Sequence, residues 1–267
     1  LKCFLDDGAI EFVSNAVYKE QWKELEENRG YLVKTIKRKS KKEIIKQKIY
    51  LVRKAMGKAG IMIAFEGTDG SGKSTIIDSL PDVLGNSFPE GMTDYYHWRP
   101  GFIKKEKTSK NGEVTVVTEP HAKAPYGKMK SFAKFMFFNL DYFFGYWCSI
   151  RWKIAKGHLV IFDRYYYDYY LDKLRYRLSI SDKMLDLFKV IIPKPDITFI
   201  LVGDPQTLYE RKREISVQEI QAQIERLLKN KDKFNNSVVI DVNKSVEDVV
   251  KDVSEYILET CASKVGR

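Results

Sequence analysis

Gly67-Thr68-Asp69-Gly70-Ser71-Gly72-Lys73-Ser74, with Thr75 next, fits the pattern G-x-x-x-x-G-K-[ST] of a phosphate-binding P-loop. Ahead of it, Ile61-Met62-Ile63-Ala64-Phe65 is a short apolar run that reads as a buried strand. Behind it, Ser74-Thr75-Ile76-Ile77-Asp78-Ser79-Leu80 can open a helix. Strand, glycine-rich loop and helix, in that order, are what the motif needs. Gly67, Gly70 and Gly72 let the backbone curl so that successive N–H groups point into one concavity. The helix N-terminus adds its partial positive charge behind the phosphates. The expected nucleotide-binding residues are therefore Gly67, Thr68, Asp69, Gly70, Ser71, Gly72, Lys73, Ser74 and Thr75. Lys73 reaches for the β- and γ-phosphates, and the Ser74 hydroxyl takes one position on Mg²⁺.

Downstream, short apolar runs alternate with helical stretches. Strands are expected at Asp94-Tyr95-Tyr96-His97-Trp98, at Leu159-Val160-Ile161-Phe162, at 196–202 and at Val238-Val239-Ile240-Asp241. Helices are expected over 182–191, 205–214, 216–229 and 245–258, with Ser245 and Asp248 as a capping pair. Residues 128–156 read as one long helix, apolar on most faces and so largely buried. The pattern is an α/β fold, a parallel sheet with helices on both faces and ligands at the carboxyl ends of the strands. Asp163, at the end of one such strand, stands where a P-loop enzyme holds its metal, usually through water.

Several segments, in order, resemble one family. Phe65-Glu66-Gly67-Thr68-Asp69-Gly70-Ser71-Gly72-Lys73-Ser74-Thr75 resembles the P-loop of thymidylate kinases, and Asp163-Arg164-Tyr165 their D-R-Y motif. Pro195-Asp196-Ile197-Thr198-Phe199-Ile200-Leu201 with Asp204-Pro205 resembles the segment that follows. Glu210-Arg211-Lys212-Arg213-Glu214 falls at the family's arginine-bearing lid, and Val239-Ile240-Asp241 with Ser245 and Glu247 at its last strand and adenine-side loop. The resemblance covers roughly residues 60–260. It implies a five-stranded parallel sheet and transfer of the γ-phosphoryl group of ATP, with Mg²⁺, to an acceptor. It gives Lys73, Arg164, Arg211, Arg213 and Asp163 the catalytic work, and Asp241 a place on the nucleotide. Arg164 and Arg99 would hold the acceptor's phosphate, Asp69 its sugar, and Ser74 with Asp163 the metal. One branch of the family carries an arginine inside the P-loop; here that position is Gly70, so the lid has to supply the charge.

The departures lie on the acceptor side. Trp98-Arg99-Pro100-Gly101 stands in for the family's R-E-P-G-G, and Asp168 for the serine of D-R-Y-x-x-S. The interval from Lys73 to Asp163 is long, with the extra length around residues 102–126. Asp168 suits an acceptor hydroxyl that must be deprotonated. Tyr165, with Tyr166, Tyr167, Tyr169 and Tyr170, is either core or a surface that stacks on a base or sugar. The first expectation is a nucleoside monophosphate acceptor, dTMP foremost; the alternative is a hydroxyl of a sugar or glycan on the same scaffold. A nucleotide-binding module without catalysis is disfavoured by the intact Lys73, Ser74, Asp163 and lid arginines.

Charge adds a separate feature. Residues 31–58 hold eleven of the 46 Lys and Arg and one of the 36 acids, so 35 of each remain elsewhere and the whole net charge of +10 sits in that segment. A balanced remainder argues against a general nucleic-acid binder. The segment has helical periodicity at Ile45, Ile49, Val52 and Met56. It is either a solvated helix packed on the α/β domain or a weak contact with an anionic membrane surface. The expected division is a basic helical N-terminal extension over 1–58 and the P-loop domain over 59–267. The chain opens on Leu1, which reads as a piece of something longer with room for an upstream domain. Three scattered cysteines, Cys3, Cys148 and Cys261, fit a reduced cytoplasmic compartment, and a homodimer is compatible with the sequence. His97 is read as a strand-end hydrogen-bonding residue, not a metal ligand.

Overall fold

Every residue of Ile61–Gly67 (β1) and of Leu159–Asp163 (β3) is buried. A strand covered on both faces cannot alternate polar and apolar residues, which is why 61–65 and 159–162 are continuous apolar runs. The computed structural model describes residues 7–19, 21–28, 59–85, 87–103 and 124–265. The basic stretch 31–58, and 104–123 with its Pro120-His121 sequence, lie outside the described residues.

The chain divides into two compact units, Leu1–Lys54 and Ala55–Arg267. In the first, two helices are described, Asp7–Tyr18 (α1) and Trp22–Glu27 (α2). The second is built on a five-stranded parallel sheet. Its other strands are Thr93–His97 (β2), Ile197–Val202 (β4) and Ser237–Asp241 (β5), in the order β2-β3-β1-β4-β5. The register sets His97 and Phe65 on either side of Asp163, in one row at the carboxyl ends of three strands.

Two apolar cores cover the two faces of the sheet. One contains Ile76, Ile77 and Leu80 of Lys73–Leu84 (α3), together with Val249, Val253 and Ile257 of Val246–Val265 (the C-terminal helix), packed under Ile63, Phe65 and Phe199. The other is aromatic, with Phe135, Phe138 and Tyr142 of Lys128–Gly145 (α4) against Phe162, Tyr165, Tyr166 and Tyr169. The long aromatic helix differs from the sequence expectation in two ways. It runs on over 128–155 as expected, but one turn, Tyr146–Ile150, is wound as a π-helix between α4 and Arg151–Ala155 (α5). It is also only partly buried: Phe132, Leu140, Phe143, Phe144 and Trp147 lie exposed.

Caps define several helix starts, as the residue types dictate. Asp204 accepts from the Thr207 amide at 2.8 Å ahead of Pro205–Arg211, Ser216 from Glu219 ahead of Val217–Asn230, and Ser245 from Asp248 ahead of the C-terminal helix. Among the described residues, no helix is long and apolar enough to cross a membrane.

Candidate active site

The P-loop joins β1 to α3 with Gly70 and Gly72 at φ +84° and +80°, in the left-handed region that glycine tolerates. Gly70 has a second constraint, because a Cβ there would stand 2.3 Å from the Leu208 carbonyl oxygen. No side chain fits at this position, an arginine included. Gly70→Ala should therefore push the loop off Leu208 and weaken ATP binding by at least about tenfold, since the cradle depends on convergent N–H groups. Calorimetric ATP affinity equal to that of the native chain would refute this.

Lys73 is folded over its own loop. Its ammonium donates to the carbonyl oxygens of Gly67 and Thr68, each at 2.8 Å, and to Ser71 Oγ at 3.2 Å. Burial, and then the neighbouring Arg164 charge, pull it down to about 8, while Asp163, Asp69 and Asp168 act in the opposite sense. Ser74 and Thr75 are exposed at the start of α3.

Asp163 ends β3. One carboxylate oxygen accepts from Tyr95 Oη at 3.2 Å and lies 3.5 Å from His97 Nδ1. The other oxygen is buried and has no hydrogen-bond partner among the described residues. Burial opposes ionisation of Asp163, yet the His97 contact and the Lys73 and Arg164 charges bring it down to about 2. An ionised carboxylate with an unpartnered oxygen at the carboxyl end of a strand fits a hard divalent cation held through water.

Immediately after Asp163 the backbone of Arg164 turns to φ +69° while its amide still donates to the Phe65 carbonyl at 2.9 Å. That conformation is strained for a side chain with a Cβ, and such strain concentrates at functional sites. It delivers the guanidinium between two carboxylates: Nη2 donates to Asp69 at 2.6 Å and Nη1 to Asp168 at 3.0 Å. Burial disfavours the charges of Asp69, but Arg164, Lys73 and Arg175 hold its carboxyl well below the usual range. The structure thus brings Lys73, Asp69, Asp163, Arg164 and Asp168 together at one end of the sheet.

Other candidates stand elsewhere. Arg99 donates to Asp141 at 2.7 Å and lies over the rings of Trp98, Phe137 and Phe138, so its charge is already taken up inside the protein. Tyr165, Tyr166, Tyr167, Tyr169 and Tyr170 are all buried and belong to the aromatic core. Asp168 is wholly buried, with Tyr176 Oη donating to its second oxygen. A carboxylate with no exposure and both oxygens engaged cannot deprotonate an acceptor hydroxyl; it holds Arg164. Arg211 and Arg213 are exposed, Arg211 donating at 3.3 Å to the Val242 carbonyl. Asp241 is exposed and accepts from the Asn243 amide.

Three residues of the site escape a motif reading: Glu66, Arg175 and Tyr176. Glu66 is fully buried and accepts from the Tyr165 amide at 2.9 Å; burial and then Asp168 push its carboxyl well above the usual range. The signal for it was an acid interrupting an apolar strand. Arg175 and Tyr176 carry no such signal.

A parallel sheet of this order, with a P-loop lysine, a strand-end Asp-Arg pair and arginines beyond it, defines a phosphotransferase of the nucleoside monophosphate kinase-like class. No family model matches the chain. It is 28% identical over 207 residues to a probable thymidylate kinase of Pyrobaculum aerophilum, covering 73% of this chain and 95% of that protein. With a probable thymidylate kinase of Archaeoglobus fulgidus it shares 26% identity, covering 74% and 94%. A crystal structure of thymidylate kinase from Ehrlichia chaffeensis aligns at 21% identity and a TM-score of 0.47, over 74% of this chain and 98% of that one. The chain is a divergent, thymidylate kinase-like P-loop protein.

Proposed function

We propose that this protein transfers the γ-phosphoryl group of Mg·ATP to a nucleoside monophosphate, with dTMP the first candidate. The observation that carries the reading is the Asp69 carboxylate, which ties the P-loop directly to the strand-end arginine Arg164. Donor and acceptor anions would meet across that one side chain. The relatives named probable thymidylate kinase support the choice of acceptor.

The residues have separate tasks. The P-loop amides and Lys73 bind and orient the triphosphate. Ser74 and Asp163 would hold Mg²⁺, which when bound neutralises charge on the phosphates. Arg164, held between Asp69 and Asp168, fixes the P-loop acid at the strand end behind the acceptor's site, and Arg211 with Arg213 are the lid cations available to stabilise charge in flight. A sugar hydroxyl as acceptor loses its main support, because Asp168 is buried and committed to Arg164 and Tyr176.

The test is ADP release from Mg·ATP with dTMP, other nucleoside monophosphates and a panel of sugars. Turnover on dTMP or a close relative is expected. Turnover confined to sugars, or none with any acceptor, would end the reading.

A further inference from the structure

We propose that Arg175 is the residue that takes the acceptor's phosphate, as the second guanidinium on the shared Asp69 carboxylate. This inference rests on the phosphotransferase reading above and assigns the acceptor-binding role within it. Asp168, Arg164, Asp69, Arg175 and Asp172 form a chain of alternating charge in which Arg175 is the most exposed member. Arg164 is its enclosed member: both terminal nitrogens are occupied by carboxylates and its side chain is only 6% exposed. A phosphate reaching Arg164 would have to displace one of two buried acids.

Arg175 is differently placed. One terminal nitrogen donates to the second oxygen of Asp69. Its Nε stands 3.6 Å from Asp172, beyond hydrogen-bond distance. Its remaining terminal nitrogen has no partner among the described residues, and the side chain is 20% exposed. An arginine presents five donors in a planar fork, so one edge can hold Asp69 while another is offered to a phosphate monoester.

The turn that carries Arg175 is itself fixed. The neighbouring Tyr176 donates to Asp168, stacks on Trp98 with centroids 4.4 Å apart, and receives Lys134 on its carbonyl at 2.8 Å. The fork is therefore pre-positioned, with one terminal nitrogen on the P-loop's own Asp69 carboxylate. The chemistry it suits is the dianion of a nucleoside monophosphate rather than an uncharged acceptor.

The experiment compares the native chain with Arg175→Ala and Arg175→Lys in steady-state kinetics on dTMP and ATP, with melting curves alongside. Arg175→Ala should raise KM for dTMP by about 10- to 100-fold and leave KM for ATP within about twofold, the loss expected for one charge-assisted contact. Arg175→Lys, which keeps charge but not the fork, should fall between. Where Arg175→Ala does not fold, a threefold or greater rise in KM for dTMP alone in Arg175→Lys supports the assignment. An unchanged KM for dTMP in a folded variant, or a parallel rise in both KM values with a lower melting point, overturns it. Failure of the native chain to turn over any nucleoside monophosphate overturns the functional reading, and this assignment with it.

Discussion

Lys73→Met should lower kcat on the order of 10³-fold while leaving the melting temperature unchanged or raised. The kinetic side follows from geometry: Lys73 is the one lysine folded into the P-loop, with its ammonium against Gly67 and Thr68. Single electrostatic contacts of this kind are worth about 10² to 10³ in rate. The stability side follows from burial. Lys73 is held at about 8, below the usual lysine value of 10.5, so its charged form is disfavoured in the folded state. Between those two values the unfolded chain binds the proton and the folded one does not, and stability contributed by this group rises with pH across that window. Methionine has the length and lacks the charge, so it removes the penalty. For the same reason, ATP affinity of the native chain should fall as pH rises through about 8, where the ammonium loses its proton. A variant that loses activity and melting temperature together would assign Lys73 a structural role.

Arg164→Ala is the second large effect, and here both fold and activity suffer. Its guanidinium separates Asp69 from Asp168, each buried. Removing one partner of a buried pair costs about 3–5 kcal/mol, because the remaining charge has no water to return to. For a domain of this size that is roughly 10 °C in melting temperature. The damage should be partly reversed by adding Asp168→Asn, which removes one of the stranded charges, while activity stays lost. If the single variant melts within about 2 °C of the native chain, the ion network is not holding this end of the sheet.

Much of the scaffold was legible in the sequence because its signals are local. The run Ile61 to Phe65, the P-loop glycines and the Ser245–Asp248 capping pair each act over a few residues, and the elements begin where those residues say. The exposed side of α4 was not legible, since an aromatic-rich helix gives no count of how many faces find a neighbour. The site was legible to the same limit. Lys73, Asp163 and Arg164 are read from motifs, but the partner of Arg99 lies 42 residues away at Asp141, and Arg175 meets Asp69 across 106. Such pairings depend on how crossovers stack on a sheet, which spacing does not encode. One cue was present in hindsight: Glu66 and Asp141 are acids set inside apolar runs, and a charge in that setting has to be met from elsewhere in the fold.

Asp141 does more than meet Arg99. Its two oxygens also accept the amides of Gly101 at 2.9 Å and Ile103 at 2.7 Å, and the next residue, Tyr142, donates to the Trp98 carbonyl at 2.6 Å. The chain leaving β2 is thereby fastened to a helix as well as to the sheet, where the Trp98 amide still donates to the Asp163 carbonyl at 2.7 Å. A shift of α4 along its axis would therefore pull on Trp98, the ring that backs Tyr176 beside Arg175. The surroundings of Arg175 thus depend on contacts made along a helix, so a substitution in α4 that moves Tyr142 or Asp141 should change the setting of Tyr176 without touching Arg175 itself.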